Sequence, residues 1–168
     1  MGDLDKADRK GAAAGMDNDA IHLNKAVKDW LKAEGLQIDD NAINLTKGVV
    51  VAIDDDATNL TKIREILGSK YDVRLCKSGK MALVVLAETK ADLILLDVEM
   101  PGMTGFDLMD EMKARFPDMD IPVIFVTSHA TPQFVSLAVR QGAKGYIVKP
   151  FEPGTLLTKV QEVLNEIN

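Results

Sequence analysis

At 168 residues the chain has room for one well-buried domain and an appendage, but not for two domains of ordinary size. With 46% apolar and 27% charged residues, a formal net charge of −6 and no basic block, it has the composition of a globular protein in water, and direct nucleic-acid binding is not expected. The lone Cys76 excludes an intramolecular disulfide, the first residues lack the apolar run of a signal peptide, and no apolar run approaches the roughly eighteen residues that span a bilayer, so a cytoplasmic location is expected.

Three segments are expected: 1–18, 19–46 and 47–168. Residues 1–18 are rich in Gly, Ala, Asp and Lys with almost no large apolar side chain, and read as a disordered tail. From Asp19 to Glu34 apolar residues recur at Leu23, Val27, Trp30 and Leu31, with Asp19 placed to cap and Gly35 to stop, which predicts an amphipathic N-terminal helix. Its apolar stripe suits docking in cis, homodimerisation or a linker left from an upstream domain, and the three stay open.

After Gly48 the texture changes. Val49 to Ile53, Val73 to Cys76, Leu93 to Leu96, Val123 to Val126 and Tyr146 to Val148 read as five strands. Helical stretches separate and follow them, at Thr58 to Leu67, Lys80 to Glu88, Gly105 to Phe116, Pro132 to Gln141 and Pro153 to Glu166. Strands apolar on both faces, alternating with helices, predict a doubly wound α/β domain with a parallel sheet and right-handed crossovers.

Ligands of open α/β sheets bind beyond the carboxyl ends of the strands. Asp54-Asp55-Asp56 follows the first strand, Asp97 the third, Thr127-Ser128 the fourth and Lys149-Pro150 the fifth. Converging carboxylates repel unless a cation intervenes, and hard oxygen ligands with room for water suit Mg²⁺. Such a site keeps positions open for phosphate oxygens, and Lys149 can neutralise further phosphoryl charge. Taken singly, each feature has a plain structural reading: the Asp triplet a turn or helix cap, Asp97 before Met100-Pro101-Gly102 a turn, Thr127 a strand residue, Lys149 a surface charge. Their joint occurrence at four strand ends carries the argument.

In order and spacing the chain from about Lys47 to Ile167 resembles the response-regulator receiver domain of two-component signal transduction. The resemblance rests on Val51 to Asp56, on Leu95-Leu96-Asp97-Val98-Glu99-Met100-Pro101-Gly102-Met103-Thr104-Gly105, on Val126-Thr127, and on Gly142 to Pro150. It implies a CheY-like, flavodoxin-like (βα)5 fold with sheet order 2-1-3-4-5. It implies Asp97 as phosphoacceptor, Mg²⁺ held by Asp54, Asp55, Asp97 and the backbone carbonyl of Glu99, and phosphoryl oxygens contacted by Thr127 and Lys149. Thr127 and Tyr146 become the switch pair, Tyr146 turning inward on activation and biasing a surface around helix four, strand five and helix five. A cis Lys149-Pro150 bond is expected on the same ground.

Several partners and roles follow from the resemblance. The donor is a phosphohistidine of a sensor histidine kinase or phosphotransfer protein, and the acyl phosphate is hydrolysed in the same site, making a timed switch rather than a multiple-turnover enzyme. Glu99 and His129 stand where they could tune dephosphorylation, or they are solvated loop residues; both readings stay open. No effector domain follows the last expected helix, so the output is expected through a downstream protein, or the chain is a receiver fragment of a hybrid histidine kinase or larger regulator. A different class, an aspartyl-phosphate phosphohydrolase, formally fits Asp54-x-Asp56 but lacks the remaining motifs.

Overall fold

The computed structural model describes Trp30, residues 32–35 and residues 47–167. The chain divides between Thr46 and Lys47 into two units. Of the expected N-terminal helix, Trp30, Lys32 and Ala33 are helical, and Gly35 adopts a φ of 74°, where a residue without Cβ ends a helix without strain. The rest of that helix and the expected disordered tail lie outside the described residues.

The unit from Lys47 onward alternates strand and helix five times: β1 (Val49–Ile53), α1 (Ala57–Leu67), β2 (Asp72–Cys76), α2 (Gly79–Glu88), β3 (Leu93–Leu96), α3 (Gly105–Arg115), β4 (Val123–Thr127), α4 (Pro132–Arg140), β5 (Gly145–Val148) and α5 (Pro153–Ile167). All pairings are parallel and the order is β2-β1-β3-β4-β5, the flavodoxin-like arrangement. Every expected element is present, each bound lying within one residue of its expected position.

Side chains alternate across the sheet, and both faces are buried. Val51, Ile53, Ile94, Leu96, Val123 and Phe125 pack with residues of α2, α3 and α4, including Leu86, Leu108 and Ala138. On the opposite face Val50, Ala52, Leu93, Leu95, Ile124 and Val126 meet Leu60, Ile63 and Leu67 of α1 and Leu156, Val160 and Val163 of α5. Each fully buried Ile or Leu contributes roughly 1.5–3 kcal/mol against leaving it in water.

Helix starts are fixed by side chains that accept backbone N–H groups. Asp56 caps α1, Ser78 α2 and Thr131 α4, while Thr104 and Asp107 form a reciprocal capping box on α3. Asp92 ties two strand starts together: its carboxylate accepts the Val49 N–H at 2.7 Å, and its own N–H donates to the Val49 carbonyl at 2.8 Å. Among the described residues no helix is long and apolar enough to cross a membrane.

Candidate functional site

Because β1 leads to β2 on one side and β3 to β4 on the other, the connections leaving these two neighbouring strands run to opposite sides and open a crevice at the carboxyl ends of β1 and β3. Ile53 pairs with Leu96, so the next residues, Asp54 and Asp97, emerge side by side. The Asp97 N–H continues the ladder onto the Ile53 carbonyl at 3.0 Å. The two acidic residues are therefore placed by sheet register.

The crevice has a volume of about 590 Å³ and is lined by Asp54, Asp55, Asp56, Asn59, Asp97, Glu99, Met100, Pro101, Thr104, Ser128 and Lys149. Five acidic residues and one lysine thus line it. Asp54 and Asp97 are buried while Asp55 is exposed, and carboxylate oxygens of the three lie within 4.8 Å of one another. That is the spacing and chemistry of a hard divalent-cation site, and the trio can hold a metal ion.

Each side chain is held in place. Asp54 accepts the Asp56 N–H at 2.9 Å through one oxygen and Lys149 Nζ at 2.5 Å through the other. Asp56 turns away to cap α1, accepting the Thr58 N–H at 2.8 Å. Lys149 Nζ also lies 3.3 Å from Asp97 Oδ2, so one ammonium bridges both buried carboxylates. The Lys149 backbone is anchored by its N–H on the Thr127 carbonyl at 2.9 Å, and the Lys149-Pro150 bond is cis.

Burial raises the Asp97 carboxyl above the ordinary aspartate value, with Asp54 adding to the rise and Lys149 opposing it. Burial works against the Lys149 ammonium, yet its hydrogen bond to Asp54 and the charges of Asp54 and Asp97 hold it above its ordinary value. The lysine therefore stays charged at neutral pH, opposite the two buried carboxylates.

A family model for the response regulator receiver domain matches residues 50–161. This chain belongs to that family. Vibrio cholerae chemotaxis protein CheY4 has a similar solved structure, with a TM-score of 0.66 at 30% identity over 70% of this chain and 99% of that one. The chain is 36% identical over 94 residues to a Vibrio cholerae "Probable cyclic di-GMP phosphodiesterase", a match covering 56% of this chain and 21% of that protein. It is 34% identical over 94 residues to the DNA-binding response regulator MtrA of Mycolicibacterium paratuberculosis, covering 56% of this chain and 40% of MtrA. This chain therefore spans well under half the length of these curated relatives.

Within this receiver, Thr127 ends β4 fully buried, its hydroxyl accepting the His129 N–H at 3.3 Å; Ser128, not Thr127, lines the crevice. Tyr146 packs its ring 6.5 Å from that of Phe125 and donates its hydroxyl to the His129 carbonyl. His129 stacks on Phe134 with ring centroids 4.7 Å apart and pairs through Nε2 with the Glu99 carboxylate. The β3–α3 and β4–α4 loops are thereby joined by side chains.

Ser128, expected with Thr127 at the end of the fourth strand, lines the crevice, as do Asn59 and Thr104, to which sequence reasoning gave no role there. Asn59 had a readable signal, since it falls in the first turn of a helix starting just after the acidic triplet.

Proposed function

We propose that the crevice is a Mg²⁺-dependent phosphoryl-acceptor site, with Asp97 as the phosphoacceptor. The observation that carries this is the cluster of Asp54, Asp55 and Asp97 carboxylates, two of them bridged by the Lys149 ammonium. Asp54, Asp55, Asp97 and the Glu99 backbone carbonyl would hold Mg²⁺, which when bound supplies positive charge to phosphoryl oxygens. An Asp97 oxygen attacks the phosphorus of a phosphohistidine, forming an O–P bond as the P–N bond breaks. The bonding pair leaves with the imidazole nitrogen, which takes a proton from solvent. Lys149, already within 3.3 Å of Asp97, neutralises a phosphoryl oxygen. Thr127 would supply a hydroxyl contact.

Hydrolysis of the acyl phosphate in the same crevice resets the domain, and Glu99 with His129 sets its rate. The donor is a sensor histidine kinase or phosphotransfer protein, and the acidic net charge favours a downstream protein partner over nucleic acid. Thr127 and Tyr146 would couple the phosphoryl group to the α4-β5-α5 face, where Val135, Leu137, Val139 and Val148 are exposed. That face would engage the effector, or a second copy of the chain, in the cytoplasm. The curated relatives' greater length supports a second reading of the context, in which this receiver serves a hybrid histidine kinase or larger multidomain regulator.

The test is intact mass after incubation with Mg²⁺ and acetyl phosphate, wild type beside Asp97→Ala. A gain of one phosphoryl group in wild type alone supports the proposal. No gain by a folded wild-type domain overturns it in favour of a binding module without phosphoryl chemistry.

A further inference from the structure

Lys62, in the middle of α1, makes two contacts with a single residue 89 positions away. Its Nζ donates to the Phe151 carbonyl at 2.8 Å and lies 4.5 Å from the centroid of the Phe151 ring. The ring is buried among the apolar side chains between the sheet and the α1–α5 layer. A lysine on a helix surface ordinarily keeps its rotamer freedom in water. This one gives it up for a charge-assisted hydrogen bond and a cation–π contact on the same residue.

Phe151 stands two residues after Lys149. The three-residue segment Lys149-Pro150-Phe151 is held at its start by the Lys149 N–H on the Thr127 carbonyl, and at its end by Lys62. Between these anchors the Lys149 side chain crosses to Asp54 and Asp97. Asp54 in turn leads into α1 through the Asp56 cap. One helix therefore carries the acidic residues at its amino end and, through Lys62, grips the loop that delivers their counter-charge.

We propose that Lys62 is a positioning residue that sets the reach of Lys149 into the crevice. The inference rests on the phosphoryl-acceptor reading. Without Lys62 the segment would hang on the Thr127 carbonyl and the buried Phe151 ring with its backbone carbonyl untied, leaving the ammonium freer to wander from the line between Asp54 and Asp97, and small misplacements of a charge that meets the transferred group slow the reaction. Lys62 touches neither the crevice nor the phosphoryl group, so its effect must pass through Lys149.

The experiment compares rates of Mg²⁺-dependent phosphoryl uptake from acetyl phosphate by Lys62→Met and Lys62→Arg, each made in the wild-type and Lys149→Met backgrounds. Methionine keeps the apolar stem but loses the donor and charge, and it should slow uptake by about five-fold. Arginine keeps both and should restore the rate. In the Lys149→Met background Lys62→Met should change nothing further, an outcome that general loosening of α1 would not give. Wild-type uptake by Lys62→Met, or equal slowing in both backgrounds, overturns the inference. If Lys62→Met does not stay folded, Phe151→Leu, which removes the ring and keeps the carbonyl, is read by the same rule. If Asp97→Ala and Lys149→Met both take up phosphoryl as wild type does, the acceptor reading falls and takes the inference with it. If only Lys62→Met behaves as wild type, the acceptor reading stands alone.

Discussion

A Cβ placed on Gly105 would lie 2.4 Å from the carbonyl oxygen of Asp97. The start of α3 is pressed onto the backbone of the proposed phosphoacceptor, an approach sealed by the Gly105 N–H on the Val98 carbonyl at 2.9 Å. The atom in the way is backbone on a buried strand end, so it cannot step aside as a flexible side chain would. Gly105→Ala should cost about 1–3 kcal/mol of stability, read by denaturant unfolding, and should reduce phosphoryl uptake beyond what the loss of folded protein explains.

Asp97→Asn should stabilise the metal-free domain at neutral pH. The folded-state pKa of Asp97 lies above its ordinary value, so its stabilising contribution is full below the unfolded value and is lost as pH rises through the folded one. At pH 7 the ionised group works against folding. The variant's melting midpoint should exceed wild type by on the order of a few degrees. The gap should close as pH falls into the acid range, and Mg²⁺ should narrow it by stabilising wild type alone.

Lys149→Met should destabilise the domain, because it leaves Asp54 and Asp97 facing each other without the ammonium. The crevice is open to water, so the cost is about 1–3 kcal/mol rather than that of a sealed ion pair. Lys149 titrates above its ordinary value, so its contribution is intact below that value and fades as alkaline pH passes through the raised one. Unfolding followed from pH 7 to pH 11 should show wild type and variant converging.

Cys76 is fully buried at the end of β2, and burial pushes its thiol up to about 11. At pH 8 the folded protein should be inert to a disulfide reagent and react within the dead time once unfolded. Above about pH 9 the unfolded thiol ionises while the folded one does not, so stability should decline from there until pH passes the folded value.

Glu99→Gln and His129→Ala break the side-chain link between two loops at the mouth. Each should alter the half-life of the phosphorylated form, by about three-fold or more. Phosphate release timed after removal of the donor checks this, and unchanged half-lives in both variants would reduce the pair to loop structure.

The fold was legible because apolar strands buried on both faces stand out as short β-branched runs such as Val49 to Ile53. Periodicity predicted the doubly wound class; the order 2-1-3-4-5 came with the family resemblance. Element starts were legible to within a residue, while which side chains cap them emerged from the structure, where Asp56 and Ser78 accept backbone N–H groups of the first turn. The site was legible as polar residues at strand ends, because parallel strands deliver those ends to one edge. What stayed hidden depends on side-chain reach across the fold: Lys149 bridging Asp54 and Asp97, Ser128 taking the lining position beside buried Thr127, and Lys62 gripping Phe151.

Asp54 and Asp97 extend the β1–β3 pairing by one step, with the Asp97 amide still in the ladder. The acidic crevice therefore shares the opening equilibrium of the central sheet. Amide exchange at Asp97 should proceed as slowly as at Leu95 and Leu96, while the loops bearing Glu99 and His129, whose amides are held only by side-chain oxygens, exchange faster. Its ligands can be remodelled from the rim, but the seat of the chemistry lasts as long as the folded state itself.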